Sequence, residues 1–251
     1  SSDLLALAGT GWAQEDTIKI GVLHSLSGTM AISETSLKDT ALMTIAQINA
    51  AGGVNGRKIE LLVEDSVNPQ TGSAKAERLV QRDKVSCIIG EISSATALGI
   101  AQVVQRERAL FFNTGANSDA LRGSDCQRFM FHTEAQNSMY VKTVGRSLLR
   151  DGMARGKKWH FMTADYAFGY ALEKDVSEVV KAAGGEVVGS VRHPLNTSDF
   201  SSFLLQAQGS GAQVIGPAAR EDQAIALIES RSLSCAILEI DRRLVEKDRK
   251  S

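Results

Sequence analysis

Aromatic residues make up only 5% of the 251 residues, too few for a surface that stacks bases, which argues against a single-stranded nucleic-acid binder. Charge of one sign is also lacking. The formal net charge is −1, so no long-range field draws the chain to nucleic acid or to an anionic membrane. The three cysteines, Cys87, Cys126 and Cys235, stand far apart with no CxxC pair. That argues against a zinc or iron–sulfur site and leaves room for one disulfide at most. Cys87 lies in an apolar run and reads as a small core residue. The four histidines, His24, His132, His160 and His193, show no ligand spacing, and His160 in its apolar strand reads as a core residue with a satisfied ring. No apolar stretch approaches the length needed to span a bilayer. HExxH, GxSxG and GxGxxG are all absent. Residues 152–157, GMARGK, come near a phosphate loop but are one residue short, lack the following Ser or Thr, and precede a strand instead of following one. Neighbouring residues supply no nucleophile with an attached base. Neither an enzyme, nor a cofactor, nor a metal has a positive case, although a triad assembled from distant residues stays open.

What is present is a repeated unit, an apolar strand delivering a polar loop to the start of a helix. Strands are expected near 17–23, 58–64, 85–90 and 109–112, separated by helices near 30–50, 71–83 and 97–107. The first helix carries Leu37, Ala41, Ile45 and Ile48 at helical spacing and ends at Gly52-Gly53. Repeated βαβ units mean a parallel sheet, and right-handed crossovers bring the exit loops 24–29, 91–96 and 113–119 together at its carboxyl edge. The stretch 121–132 breaks the alternation and reads as a crossover into a second domain. The pattern then restarts, with helices at 137–150, 170–180 and 200–207 and strands at 158–163, 186–191 and 213–216. Beyond residue 216 the reading is ambiguous between a strand and a terminal helix, and 241–251 is nearly all charged.

The most pointed stretch is 85–97, VSCIIGEISSATA, where an apolar run ends at Gly90 and a hydroxyl-rich loop opens a helix. Backbone N–H groups at such a helix start, beside serine and threonine hydroxyls, suit an anionic group. Read alone, Ser93, Ser94 and Thr96 serve equally as N-caps. Tyr166 and Phe168 read equally as loop packing or ligand contact. Glu64-Asp65, at a strand exit, reads as solvated or as a capping feature. The N-terminal apolar run 4–8, followed by Gly11-Trp12-Ala13, reads as the tail of a secretory signal over residues 1–13.

Three segments carry a resemblance: IKIGVL (18–23) with Ser27-Gly28, INAAGGVNGRKIEL (48–61), and DYAFG (165–169). Together they resemble the type I periplasmic solute-binding proteins of ABC importers, most closely the leucine/isoleucine/valine-binding branch, over about residues 17 to 216. The resemblance implies a two-lobed α/β fold, each lobe a parallel sheet flanked by helices, incomplete at the C-terminus. The lobes would span 14–126 and 127–240, between the leader at 1–13 and the charged tail at 241–251. It implies extracytoplasmic capture of an amino acid or related small carboxylate or amide in a cleft between lobes, with a membrane permease as partner and no nucleic acid. By motif, Ser94 would meet the ligand carboxylate with Ser93 and Thr96 nearby. Gly115 would offer its backbone and Asn117 its side chain, standing where the family carries threonine. Tyr166 and Phe168 would supply second-lobe aromatics, and Glu221 an acidic partner for an ammonium. Relative to the family the chain looks truncated, from which exposed apolar surface and a dimer through that surface are expected. Other readings are a ligand-sensing receptor domain and an α/β enzyme of flavodoxin-like form.

Overall fold

The structure is a computed structural model and describes residues 17–27, 30–150 and 152–219. The leader at 1–13, Glu221, Cys235 and the tail at 241–251 lie outside the described residues.

The first lobe is a five-stranded, all-parallel sheet. Its strands are β1 (Ile18–His24), β2 (Ile59–Asp65), β3 (Cys87–Gly90), β4 (Leu110–Asn113) and β5 (Met130–His132), in the order β2-β1-β3-β4-β5. Register runs from Ile18 opposite Ile59 to His24 opposite Asp65, and from Ile20 opposite Cys87 to Leu23 opposite Gly90. Three helices connect the strands: α1 (Ala31–Ala50), α2 (Pro69–Gln81) and α3 (Ser94–Glu107). Asn68 caps α2 by accepting the Thr71 N–H at 2.9 Å. The glycine pair after α1 takes left-handed backbone, with φ of +108° at Gly52 and +82° at Gly53, and ends the helix.

The two faces of this sheet are covered unequally. Leu23, Ile88, Phe111 and Met130 pack with Leu79 of α2 and Ile100 and Val104 of α3 in one core. The opposite face carries Ile20, Cys87, Ile89, Phe112 and Phe131, and α1, the only helix there among the described residues, packs over β1 and β2. Cys87 is therefore half-buried and not a core residue, and its thiol is free, as is that of the exposed Cys126. Phe131, stacked on Phe112 at 5.6 Å between centroids, remains 48% exposed. On α1 the stripe is only partly realised, since Glu34 and Ile45 are its buried residues.

One boundary shifts. β5 pairs in parallel with β4, with Phe112 opposite Phe131, so the first sheet extends beyond the border placed at 126/127. A three-residue strand reached through a short turn, Asp119–Leu121, leaves no helical period to read.

The second lobe holds β6 (Lys158–Ala164), β7 (Glu186–His193) and β8 (Val214–Ala218) in the parallel order β7-β6-β8, with α4 (Asn137–Arg150), α5 (Ala167–Ala182) and α6 (Ser201–Gly209). Both faces of β6 are covered. Trp159 and Phe161 pack with Val180, while Met162 packs with Phe200, Leu204 and Ile215. Among the described residues β8 lies at the sheet edge, a position that tolerates Pro217. His160 is buried as expected, but neither ring nitrogen has a hydrogen-bond partner. Its ring lies over Gly189 of the next strand, where a Cβ would stand 3.0 Å from Nδ1. Burial holds its pKa below the ordinary imidazole value.

Candidate functional site

The strand order reverses direction between β1 and β3, and in such sheets ligands settle at the carboxyl ends beside that switch. A cleft of about 320 Å³ opens there. Ser25, Ser27 and Met30 from the loop after β1, Val67, Asn68 and Pro69 from the start of α2, and Ser93 and Thr96 from the start of α3 form one wall. Leu195 and Asn196, in the loop after β7, close it from the second lobe. The first wall thus sets four hydroxyls and one amide among the apolar Met30, Val67 and Pro69, and the second is a single apolar–polar pair.

Ser93 is the N-cap of α3, its Oγ accepting the Thr96 N–H at 3.4 Å. Capping and cleft lining coincide in that residue. Ser94 stands behind the wall. It is fully buried, and its Oγ accepts the Ser118 N–H at 3.2 Å, which ties the 91–96 loop to the 113–119 loop. Gly115 and Asn117 are engaged within their own loop. Asn113 Oδ1 accepts the Gly115 N–H at 3.2 Å and the Ala116 N–H at 2.9 Å. With its nitrogen turned toward them, the Asn117 side-chain amide donates to the Gly115 and Ala135 carbonyls, each at 3.0 Å. Tyr166 and Phe168 form a layer behind the second wall, their rings 5.8 Å apart, in a cluster with Met30, Ala164 and Leu195. Ser93 and Thr96 are therefore the predicted residues brought to the cleft. Ser94, Gly115, Asn117, Tyr166 and Phe168 do not line it, and Glu221 lies outside the described residues.

Eight cleft residues were not selected as site residues from the sequence: Ser25, Ser27, Met30, Val67, Asn68, Pro69, Leu195 and Asn196. Ser27 and Asn68 were the most findable, because polar residues at strand exits in a doubly wound sheet converge by topology alone. Glu64-Asp65 turns out to be structural. Asp65 Oδ1 accepts the Leu26 N–H at 2.9 Å and the Val67 N–H at 3.0 Å, joining two exit loops. Glu64 pairs with Lys75 at 3.0 Å and with Arg78.

Beneath the first wall lies a group of fully buried polar side chains: His24, Glu34, Ser66 and Glu91. His24 Nδ1 lies 2.8 Å from Glu34 Oε2, which also accepts the Ser25 N–H at 2.9 Å. Glu91 accepts from Ser66 Oγ at 2.7 Å and from the backbone N–H groups of Ile92 and Ser93 at 3.1 and 2.9 Å. Burial, followed by the neighbouring Glu34 carboxyl, lifts the Glu91 pKa to about 8. Burial likewise lowers that of His24 to about 4, against the pull of Glu91. Near neutrality His24 is uncharged and Glu91 holds its proton.

Residues 17–231 match the model of a family described as periplasmic binding proteins. A Leu/Ile/Val-binding protein homolog of Brucella abortus is 28% identical over 219 residues, which are 84% of this chain and 52% of that protein. The chain therefore spans about half the length of this curated relative. Among solved structures, a periplasmic binding protein from Burkholderia mallei shares 38% identity at a TM-score of 0.78, covering 86% of this chain and 56% of the other. A branched chain amino acid ABC transporter periplasmic ligand-binding protein from Burkholderia xenovorans shares 30% identity at a TM-score of 0.66, with 85% and 56% covered.

Proposed function

The chain belongs to the periplasmic binding protein family, and from that premise we propose that it captures an amino acid or a related small carboxylate in the cleft between its lobes. It would do so outside the cytoplasm, as the solute-binding component of an ABC importer, delivering the solute to a membrane permease. The observation that carries this reading is the chemistry of the first wall. Four hydroxyls (Ser25, Ser27, Ser93 and Thr96) and the Asn68 amide gather where α2 and α3 begin. Helix N-termini carry partial positive charge, so the wall suits an anionic head group without a cationic side chain. A volume of about 320 Å³ has room for an amino acid or a single-ring acid. The second wall, Leu195 backed by Tyr166 and Phe168, suits the apolar part of such a solute. Relatives named for Leu/Ile/Val and branched chain amino acids support an amino-acid solute.

Binding would couple to lobe closure, because a solute touching both walls stabilises the state in which both reach it. A thermal-shift panel of amino acids, aromatic carboxylates, amides and urea tests the proposal. A true ligand at 100 times its Kd stabilises by about 2.7 kcal/mol. Stabilisation by one class, reduced in Thr96→Val, is the expected result. Chemical turnover of a stabilising compound, or no shift with any member of the panel, would overturn it.

A further inference from the structure

Three loops make the first wall, and each is held from below by the same buried group. The loop after β1 is fixed through Ser25, whose N–H donates to Glu34 at 2.9 Å. The loop after β2 is fixed through Ser66, whose hydroxyl donates to Glu91 at 2.7 Å. The loop after β3 is fixed through the Ile92 and Ser93 N–H groups, both donated to Glu91. Glu91 itself sits in left-handed backbone, φ +88°, conformation that a non-glycine residue adopts only when its surroundings hold it there. Glu34 and Glu91 are both fully buried, each bonded to loops of the first wall, and after burial the Glu34 carboxyl is the next cause of the raised Glu91 pKa. Two carboxyls in contact away from water are stable when one proton lies between them.

We infer that the Glu34–Glu91 carboxyl pair, with His24 and Ser66, is the positioning element of the cleft. One shared proton ties the loop carrying Ser25 to the loop carrying Ser93 and Thr96. This rests on the cleft being the binding site. The residues are positioning residues, since they touch the wall and stand behind the solute. The pair also sets the charge behind the wall, because a shared proton leaves one negative charge where two would repel an anionic solute.

The groups facing Glu91 come from three elements: Glu34 on α1, His24 at the end of β1 and Ser66 after β2. The sign of the pH effect follows. A carboxyl raised to about 8 binds its proton more tightly folded than unfolded, so its contribution is complete below the unfolded value of 4.5 and is lost as pH rises toward 8. His24, lowered from 6.5 to about 4, acts in the opposite sense, and its effect fades as pH rises past 6.5. His132, His160 and His193, whose pKa values burial also lowers, act in the same sense as His24, so the Glu91 effect is read between pH 6.5 and 8 as the difference between the wild type and Glu91→Gln.

The experiment uses the full chain and two variants, Glu91→Gln and Glu91→Ala. Melting temperature is followed from pH 6.5 to 8 without ligand, together with amide exchange in peptides covering 24–27 and 91–96. The wild type is expected to lose roughly 3 °C per pH unit more than Glu91→Gln over that window. Glu91→Gln, a neutral isostere of the protonated acid, is expected to flatten the slope and keep both loops protected. Glu91→Ala is expected to raise exchange at Ser25 as well as at Ile92 and Ser93, although the Ser25 amide is bonded to Glu34 and not to residue 91. A slope in Glu91→Gln equal to that of the wild type would overturn the inference. So would exchange in Glu91→Ala that rises at 92–93 alone. If Glu91→Ala does not fold, the Glu91→Gln slope decides. Titration of isoleucine and benzoate into wild type and Glu91→Gln is a separate arm. Failure of both to bind the wild type counts against the cleft reading, while the ligand-free arms still judge the positioning element.

Discussion

The two lobes reach the cleft by different physical means. The first lobe presents hydroxyls on loops that are bonded to buried carboxyls and to one another, so its wall is held by directional contacts. The second presents Leu195 and Asn196 over a packed cluster of Tyr166, Phe168 and Ala164, into which Met30 of the first lobe inserts at 6% exposure. Directional bonds fix where a polar head group can sit. An apolar cluster fixes little direction, and it can slide or part as the lobes move. The difference assigns recognition mainly to the first lobe and adaptability mainly to the second.

The largest expected effect breaks the first wall at its base. Gly90 has φ +150°, and a Cβ there would lie 1.9 Å from the Leu23 carbonyl oxygen. Gly90→Ala must push β3 from β1, at a cost of about 4 kcal/mol or outright misfolding, read by denaturant unfolding. Next is the apolar bridge. Met30→Ala removes a buried side chain shared by both lobes and should cost about 2–3 kcal/mol. It should also loosen the lobe contact more than the first wall, so amide exchange should rise around 164–168 and stay unchanged at 91–93. A uniform rise would erase the contrast between the lobes.

Smaller effects sharpen the contrast. Asn68→Ala removes the cap of α2 and should cost about 1 kcal/mol in thermal unfolding, with a larger relative loss of carboxylate affinity because the residue also lines the cleft. Where the lobes meet through charge, the expected sign reverses. Burial and then the Asp119 carboxyl of the first lobe lift the Asp175 pKa to about 6, and Asp175 Oδ2 lacks a partner. Above pH 6 the ionised Asp175 disfavours the folded contact, so Asp175→Asn should stabilise by about 1 kcal/mol at pH 7.5 and gain nothing at pH 4. A loss of stability at pH 7.5 would show that Asp175 is needed as an anion.

The repeated strand–loop–helix units, the parallel sheets and the convergence of exit loops were legible in the sequence, because each rests on a local period plus one handedness rule. That one of Ser93, Ser94 and Thr96 caps the helix was legible for the same reason, but not that it is Ser93. The carboxyl lattice was not. Glu34 and Glu91 are 57 positions apart, and an acid in a polar loop or on a mostly exposed helix reads as solvated until the fold buries it. Gly115 and Asn117 were placed by motif on a loop that is tied to the 91–96 loop through Ser94, but their polar groups are taken up by Asn113 and Ala135. Leu195 and Asn196 follow the second strand of a sheet whose order is clear only once all three strands are placed.

The most direct measurement is the melting temperature of the chain with a matched series, isoleucine against isoleucinamide and benzoate against benzamide, in wild type and in the Ser93→Ala/Thr96→Val double variant. Recognition of a carboxylate by the first wall predicts that at least one acid raises the wild-type melting temperature, that its amide does so far less, and that the double variant loses the difference. Equal shifts from acid and amide, or a full acid-specific shift retained in the double variant, would contradict it.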